Sequence, residues 1–407
     1  MIAVDDHNFT QTKAILQSAI ADGRIPAAQL LVRWRGEVWV DVAAGWLDPD
    51  TRQRPAQPDT LFDIASITKL FSALAFMTLV EQGELALDQP IGSILSAFNA
   101  PRPIRPYEDP LTPGRMVTVT GAAGTVDAAS ITFRHLLTHT SGLPAWRPLY
   151  KQPDIQAARR MALETFFSYR PGARVLYSDI GLILLGMTIE RLTGQTLDMA
   201  VHERVIAPLN LRHTRYFALS APDISPPLAP PQGGEQASPP LKGIEEGNIA
   251  PTEFCPWRGR RMVGQVHDEN AYQLGGAAGH AGLFSTARDI ASLGQALLDC
   301  IKDSSHRGLL LQAETVKEMT RLQTAGLGSR RGLAFMLWQP DPESNSNPFG
   351  QRAFGHSGFT GTTLWIDPER DLAVALLTNE VYNGRQDRKI QALRISIHKA
   401  IVEDLHS

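Results

Sequence analysis

The stretch from Leu61 to Glu81, LFDIASITKLFSALAFMTLVE, limits what this chain can fold into more than any other. Leu70, Phe71, Leu74, Ala75, Met77, Leu79 and Val80 place apolar side chains around most of a helix's circumference. Such a helix has no polar face to give to water, so other elements must enclose it. Only a large core, or two lobes sharing one cleft, can do that, and 407 residues suffice for either. Ser66 and Lys69 stand three apart where the helix begins, so their side chains share one face. A lysine held in low dielectric loses part of its preference for the charged form, so Lys69 is expected to act as a base. A serine at a helix start also lies near backbone N–H groups able to stabilise an oxyanion.

Both ends of the chain read as α/β structure. Thr10 to Ala21 carries the spacing of an amphipathic helix, and Ala27 to Arg33 and Val38 to Ala44 flank a turn at Arg35-Gly36. Near the other end, Thr362 to Ile366 and Leu372 to Thr378 form a second hairpin, followed by a helix with Ile390, Leu393, Ile397, Ala400, Ile401 and Leu405 on one stripe. Between them the pattern is mostly helical, as in Ile180 to Leu192 and Asp289 to Asp299. This predicts an α/β lobe from residues 1–82 and 325–407, with 83–324 inserted as a mostly helical lobe. Asn99 to Pro113 and Pro222 to Pro251 are rich in proline and read as surface loops, the second as a flexible insertion at about 220–252.

Composition excludes several classes. Apolar residues make up 43% and charged residues 20%, and the net charge of -3 gives no field that would attract nucleic acid or an anionic membrane. Arg258-Gly259-Arg260-Arg261 is short enough to be a solvated loop. Cys255 and Cys300, far apart, suggest neither a disulfide framework nor a paired-cysteine metal site. No apolar run reaches membrane-spanning length, and Met1 to His7 lacks a basic, apolar leader, so a cytoplasmic protein is expected.

Two further motifs carry chemistry. Tyr177-Ser178-Asp179 precedes the helix Ile180 to Leu192, where Ser178 or Asp179 can act as the cap. His356-Ser357-Gly358-Phe359 leads into the last hairpin, where glycine lets a substrate lie against the strand and a backbone N–H can complete an oxyanion hole. Each motif alone is weak. Ser396-Ile397-His398-Lys399 repeats the first, Tyr107-Glu108-Asp109 the second, and His280-Ala281-Gly282 and His306-Arg307-Gly308 the third.

Their order and placement carry the meaning. Ser66-Ile67-Thr68-Lys69, Tyr177-Ser178-Asp179 and His356-Ser357-Gly358 resemble the Ser-x-x-Lys, Tyr-x-Asn and Lys-Thr-Gly boxes of the serine β-lactamase and penicillin-binding-protein superfamily, particularly its class C β-lactamase and family VIII esterase branches. Leu136 to Pro144 (LLTHTSGLP) and Gly275 to Ala287 (GGAAGHAGLFSTA) resemble it too and are read as structural, with His139 and His280 as loop and turn residues and Thr286 with Asp289 as a capping box. The resemblance implies a β-lactamase/transpeptidase-like α/β (α+β) fold, an antiparallel sheet flanked by helices plus the inserted lobe. It further implies a serine hydrolase acylated on Ser66, with Lys69 and Tyr177 moving protons and Ser66 and Phe359 supplying oxyanion N–H groups. His356, Ser357, Gly358, Phe359 and Asp179 would face the substrate, and no metal or organic cofactor is implied.

Two positions depart from the pattern. Asp179 stands where an asparagine donates to substrate, and a carboxylate donates only when protonated. His356 stands where a lysine supplies a permanent positive charge, and histidine titrates. Both favour an esterase or amidase acting on a small ester or peptide-like substrate over a β-lactamase or D-amino-acid (DD-)peptidase. A non-catalytic ligand-binding protein of the same fold is the alternative outside enzymes. An α/β-hydrolase is disfavoured because Gly355-His356-Ser357-Gly358 does not complete a Gly-x-Ser-x-Gly elbow.

Overall fold

The computed structural model describes residues 9–112, 114–219, 248–302, 310–386 and 388–406. The flexible insertion expected at about 220–252 therefore lies mostly outside the described residues, as does Met1 to Asn8.

A six-stranded antiparallel sheet organises the molecule. Its elements are α1 (Thr10–Ala21), β1 (Ala27–Trp34) and β2 (Glu37–Gly45) from one part of the chain. Later come β3 (Met336–Leu337), β4 (Phe354–Ser357), β5 (Thr363–Asp367) and β6 (Leu372–Thr378). Their order across the sheet is β3-β4-β5-β6-β1-β2. β1 pairs with β6 from Ala28 opposite Thr378 to Trp34 opposite Leu372. This central pair reads in sequence as continuous apolar runs because both faces are covered. Leu372, Val374 and Leu376 face a core shared with α1 and the last helix, Ile390–Asp404. Ala373, Ala375 and Leu377 face the opposite core. The period of two is intact, and each face has a layer of its own.

That second core holds the helix the sequence required to be enclosed. α2 runs from Thr68 to Glu81, and Leu70, Phe71, Leu74 and Phe76 within it are fully buried. Truncating any one of them to alanine would cost about 2–5 kcal/mol. Against α2 pack α3 (Asp179–Thr193), ended by Gly194 in the left-handed region, and the Thr132-capped helix Phe133–Leu137. A further helix, α4 (Ala287–Lys302), lies directly on the sheet. At Gly294 a Cβ would sit 3.1 Å from Leu364 and 3.2 Å from Ala373, so glycine sets how closely α4 approaches. A small sheet places Phe62–Asp63 beside Leu283–Ser285, which pairs in turn with Arg215–Tyr216. The segment entering Ser66 thus lies next to the strand leaving His280.

Three local expectations differ from the structure. Within the proline-rich stretch, Arg102–Pro103 and Tyr107–Glu108 are short strands paired with Thr125–Val126 and Met116–Val117. Arg258 is not in a solvated loop. It is 3% exposed and donates to the carbonyls of Val266 and His267, because a loop without periodicity needs side-chain donors to satisfy its buried carbonyls. Asp289 turns away from a capping box; its N–H donates to Thr286 Oγ1, but its carboxylate accepts from His213 N and Thr214 Oγ1. Cys255 and Cys300 are both free and buried. Among the described residues no helix is long and apolar enough to cross a membrane.

Candidate active site

Ser66 does not open α2 itself but sits on the 3₁₀ turn Ala65–Ile67 before it. Ala65 holds φ 46°, a left-handed conformation that costs a non-glycine residue energy unless its surroundings fix it. They do. Asp63 Oδ1 accepts from Ala65 N at 2.8 Å, while its Oδ2 accepts from His267 N at 2.7 Å. Thr360 Oγ1 donates to Asp63 O and Thr362 Oγ1 to Ile64 O. Gly358 packs so closely that a Cβ there would lie 2.5 Å from Ile64 O. The His-Ser-Gly segment therefore braces the serine turn from behind.

Lys69 is completely buried. Its Nζ donates to Ser66 Oγ at 2.8 Å and to His280 O at 3.1 Å, and it lies 2.8 Å from Asp179 Oδ1. The Tyr177 ring stands beside this pair, its centre 4.8 Å from the Lys69 ammonium. Asp179 can reach Lys69 because Ser178, not Asp179, caps α3 by accepting from Gly181 N.

The geometry adds a counterion to the burial expected for Lys69. Burial does disfavour its charge, but the Asp179 carboxylate and Tyr177 outweigh that and raise its pKa above the ordinary lysine value. The Tyr177 phenol is also raised, by burial first and by Asp179, against the lowering effect of Lys69. The resting arrangement is an ammonium paired with a carboxylate beside a neutral phenol. Burial was legible in the sequence; the counterion at 2.8 Å was not.

His356 is 1% exposed and stands behind the cleft, its ring centre 5.9 Å from that of Tyr177. Its Nδ1 lies 2.8 Å from Ser357 O, which only an N–H can satisfy, so Nε2 is a bare acceptor with no partner. Burial, together with Arg331 and Lys69, pushes its pKa well below the ordinary histidine value. His139 covers Tyr177 from another side at 4.7 Å. Its Nδ1 accepts from Ser178 N, and the same causes hold it neutral.

Ser66, Tyr177 and Asp179 open onto a cleft of about 280 Å³ also lined by Trp146, Leu111, Asp268, Glu269, His280 and Phe359. Of the residues expected to face substrate, Asp179 and Phe359 line this cleft, whereas His356, Ser357 and Gly358 lie behind it. Ser357 Oγ accepts from Asn345 Nδ2. His280, expected as a turn residue, faces the cleft, and its Nε2 lies 2.9 Å from Asp268 Oδ1. Despite burial, His280 and the Ala271 N–H hold Asp268 well below the usual carboxylate range. Asp179, Asp268 and His280 bring ligand-type atoms within 4.8 Å of one another, a set that sequence spacing did not show. The Lys69 ammonium already serves the Asp179 carboxylate there, which makes this an ion-pair arrangement. Nearby, Glu253 accepts from Arg385 and lies 2.8 Å from His267 Nε2, and Arg385 also reaches Glu269 at 2.7 Å.

The model of the family described as Beta-lactamase matches residues 12–398. The chain belongs to that family. It is an enzyme of the serine hydrolase class, with the β-lactamase and penicillin-binding-protein fold expected from its motifs. It is 31% identical over 392 residues to the N-acetylmuramyl-L-alanine amidase of Bacillus subtilis (strain 168), covering 90% of this chain and 79% of the relative. It is also 31% identical over 361 residues to an Escherichia coli (strain K12) protein provisionally named D-alanyl-D-alanine carboxypeptidase, covering 82% of this chain and 72% of the relative. In fold it is similar to a penicillin-binding protein homologue from Caulobacter crescentus, with TM-score 0.66 at 23% identity over 99% of both chains. It is similar as well to EstCE1, a hydrolase with promiscuous acyltransferase activity, with TM-score 0.64 at 22% identity over 95% of this chain and 97% of that one.

Proposed function

We propose that Ser66 is the nucleophile and that Lys69 and Tyr177 share its proton. One observation carries this reading: Ser66 Oγ accepts from Lys69 Nζ at 2.8 Å, with the Tyr177 ring 4.8 Å from the same ammonium, at the edge of an open cleft that Ser66 and Tyr177 both line. When the Lys69–Tyr177 pair has lost one proton, Ser66 Oγ attacks the substrate carbonyl and gives its own proton to the pair. The pair returns that proton to the leaving group as the acyl-enzyme forms, and water then reverses the sequence. The two groups titrate together, so the working base is the pair. The Ser66 and Phe359 N–H groups are the proposed oxyanion donors.

The substrate we favour is a small ester or amide without a carboxylate near the His356 end. His356 is neutral there, and Arg385, the one arginine lining the cleft among the described residues, is already paired with Glu269, as Lys69 is with Asp179. A peptide substrate is the second reading, supported by the two curated relatives named as an amidase and a carboxypeptidase. The test compares wild type with Ser66→Ala on a short-chain p-nitrophenyl ester. Turnover by the wild type alone is expected, with mass spectrometry of a trapped reaction finding the acyl group on Ser66. Equal turnover by both proteins would overturn the assignment.

A further inference from the structure

Arg331 is a buried cation that none of the chemistry so far uses. It lies just before β3 and is 9% exposed. Its backbone is fixed, N donating to Thr324 Oγ1 and O accepting from Gln323 N. Its guanidinium is not fixed in that way: Nε and Nη1 are buried with no hydrogen-bond partner, and no carboxylate among the described residues forms an ion pair with it. An unpaired buried guanidinium is costly, so its retention at a functional site asks for a reason.

Its neighbours supply one. Cζ lies 5.4 Å from the centre of the Tyr177 ring. The same charge acts on His356 and His139, the two imidazoles that flank that ring. Around Tyr177 stand Lys69 from α2, Asp179 from α3, His139 after the helix Phe133–Leu137, His356 from β4 and Arg331 before β3. Both histidines are neutral, so on their side of the ring the permanent charge is that of Arg331.

We propose that Arg331 is a positioning residue acting through Tyr177, the fixed cation on the face where a neutral His356 stands. It disfavours the extra proton on the Lys69–Tyr177 pair and counters the negative charge Tyr177 would carry as a phenolate. The sign does not depend on which member gives up its proton, because a nearby cation makes either proton easier to lose. The inference rests on the assignment of Ser66, Lys69 and Tyr177 made above.

The experiment measures kcat/KM against pH for wild type, Arg331→Met, Arg331→Lys and Ser66→Ala, with thermal melting of each. Arg331→Met should move the ascending limb up, by on the order of one pH unit for the loss of a nearby unit charge in a partly screened site. At fixed pH on that limb its activity falls about tenfold, and raising the pH recovers it. Arg331→Lys should lie between Arg331→Met and wild type. Melting of Arg331→Met should be unchanged or higher, since an unpartnered buried charge is lost and a methionine of similar length fills the space. An unmoved limb overturns the inference, and so does an Arg331→Met protein that melts much lower or fails to fold, which would make Arg331 a structural residue. If Ser66→Ala keeps wild-type activity, the underlying assignment fails instead; if Ser66→Ala is inactive and the limb does not move, only the role of Arg331 fails.

Discussion

Replacing Asp179 with asparagine should make the enzyme work at lower pH. Asp179 Oδ1 lies 2.8 Å from Lys69 Nζ, and that pair is what raises the lysine above its ordinary pKa. Two unit charges about 4 Å apart interact by about 4 kcal/mol at an effective dielectric of about 20, or about three pKa units. Asp179 is 21% exposed, and an asparagine oxygen would still accept from the ammonium, so we take about one to two units as the net fall. The wild type should gain activity through the alkaline range as the pair loses its held proton. In Asp179→Asn the ascending limb of kcat/KM, followed with a p-nitrophenyl ester, should shift down by that amount. Stability has its own sign. A lysine with a raised folded pKa stabilises the fold below its unfolded pKa, and that stability is lost as pH rises through the folded value. The variant should therefore melt lower than wild type at neutral pH, with the gap closing at alkaline pH. A limb that stays in place or moves up would refute the idea that Asp179 holds the proton on Lys69.

Three further outcomes are expected. Tyr177→Phe should lower kcat by about 10²- to 10⁴-fold with little change in melting, since the ring contacts with His139 and His356 remain; loss of folding would argue that the hydroxyl is structural. Glu253, held at about 2 by His267 and Arg385 against the effect of burial, should contribute about 3 kcal/mol that is lost as pH falls from its ordinary value of 4.5 towards about 2. Acid melting curves of wild type and Glu253→Gln should converge over that window, and parallel curves would contradict it. Gly294→Leu should destabilise by about 1–3 kcal/mol in denaturant titrations, because α4 cannot move off Leu364 and Ala373, while kcat at low temperature stays at the wild-type level.

The strands and helices that frame the cleft were legible because each repeats a pattern over many residues. The apolar circumference of α2, the apolar runs of β1 and β6, and Gly194 closing α3 all follow from local chemistry. The rival motifs were separable only by place. Ser396 and Lys399 lie exposed on the last helix, where Ser396 Oγ donates to Ala392 O and Lys399 pairs with Glu403. Asp63, Asp268 and Arg331 escaped sequence reading because none lies in a periodic element; Asp63 and Arg331 meet His267 and Tyr177 from distant segments, while Asp268 meets His280 across a turn. His139 lies in a recognisable motif, yet its φ of 57°, with Tyr169 and Leu176 donating to its carbonyl, is what turns its ring onto Tyr177. Periodicity reports which face is buried; it does not report which charge arrives from elsewhere to share that burial.

The central strand pair also bears on how the protein is made. Ala27 N donates to the side chain of Asn379, 352 residues away, and β1 has β6 as its inner neighbour. At about 5–20 residues per second, a ribosome needs roughly 20 to 70 seconds to deliver that partner. Until then the hairpin of β1 and β2 has an open edge, and the apolar helix behind Ser66 lacks its sheet. A nascent chain in that state should need chaperones, and a transcript truncated before β6 should yield an aggregating, protease-sensitive product rather than a smaller working enzyme.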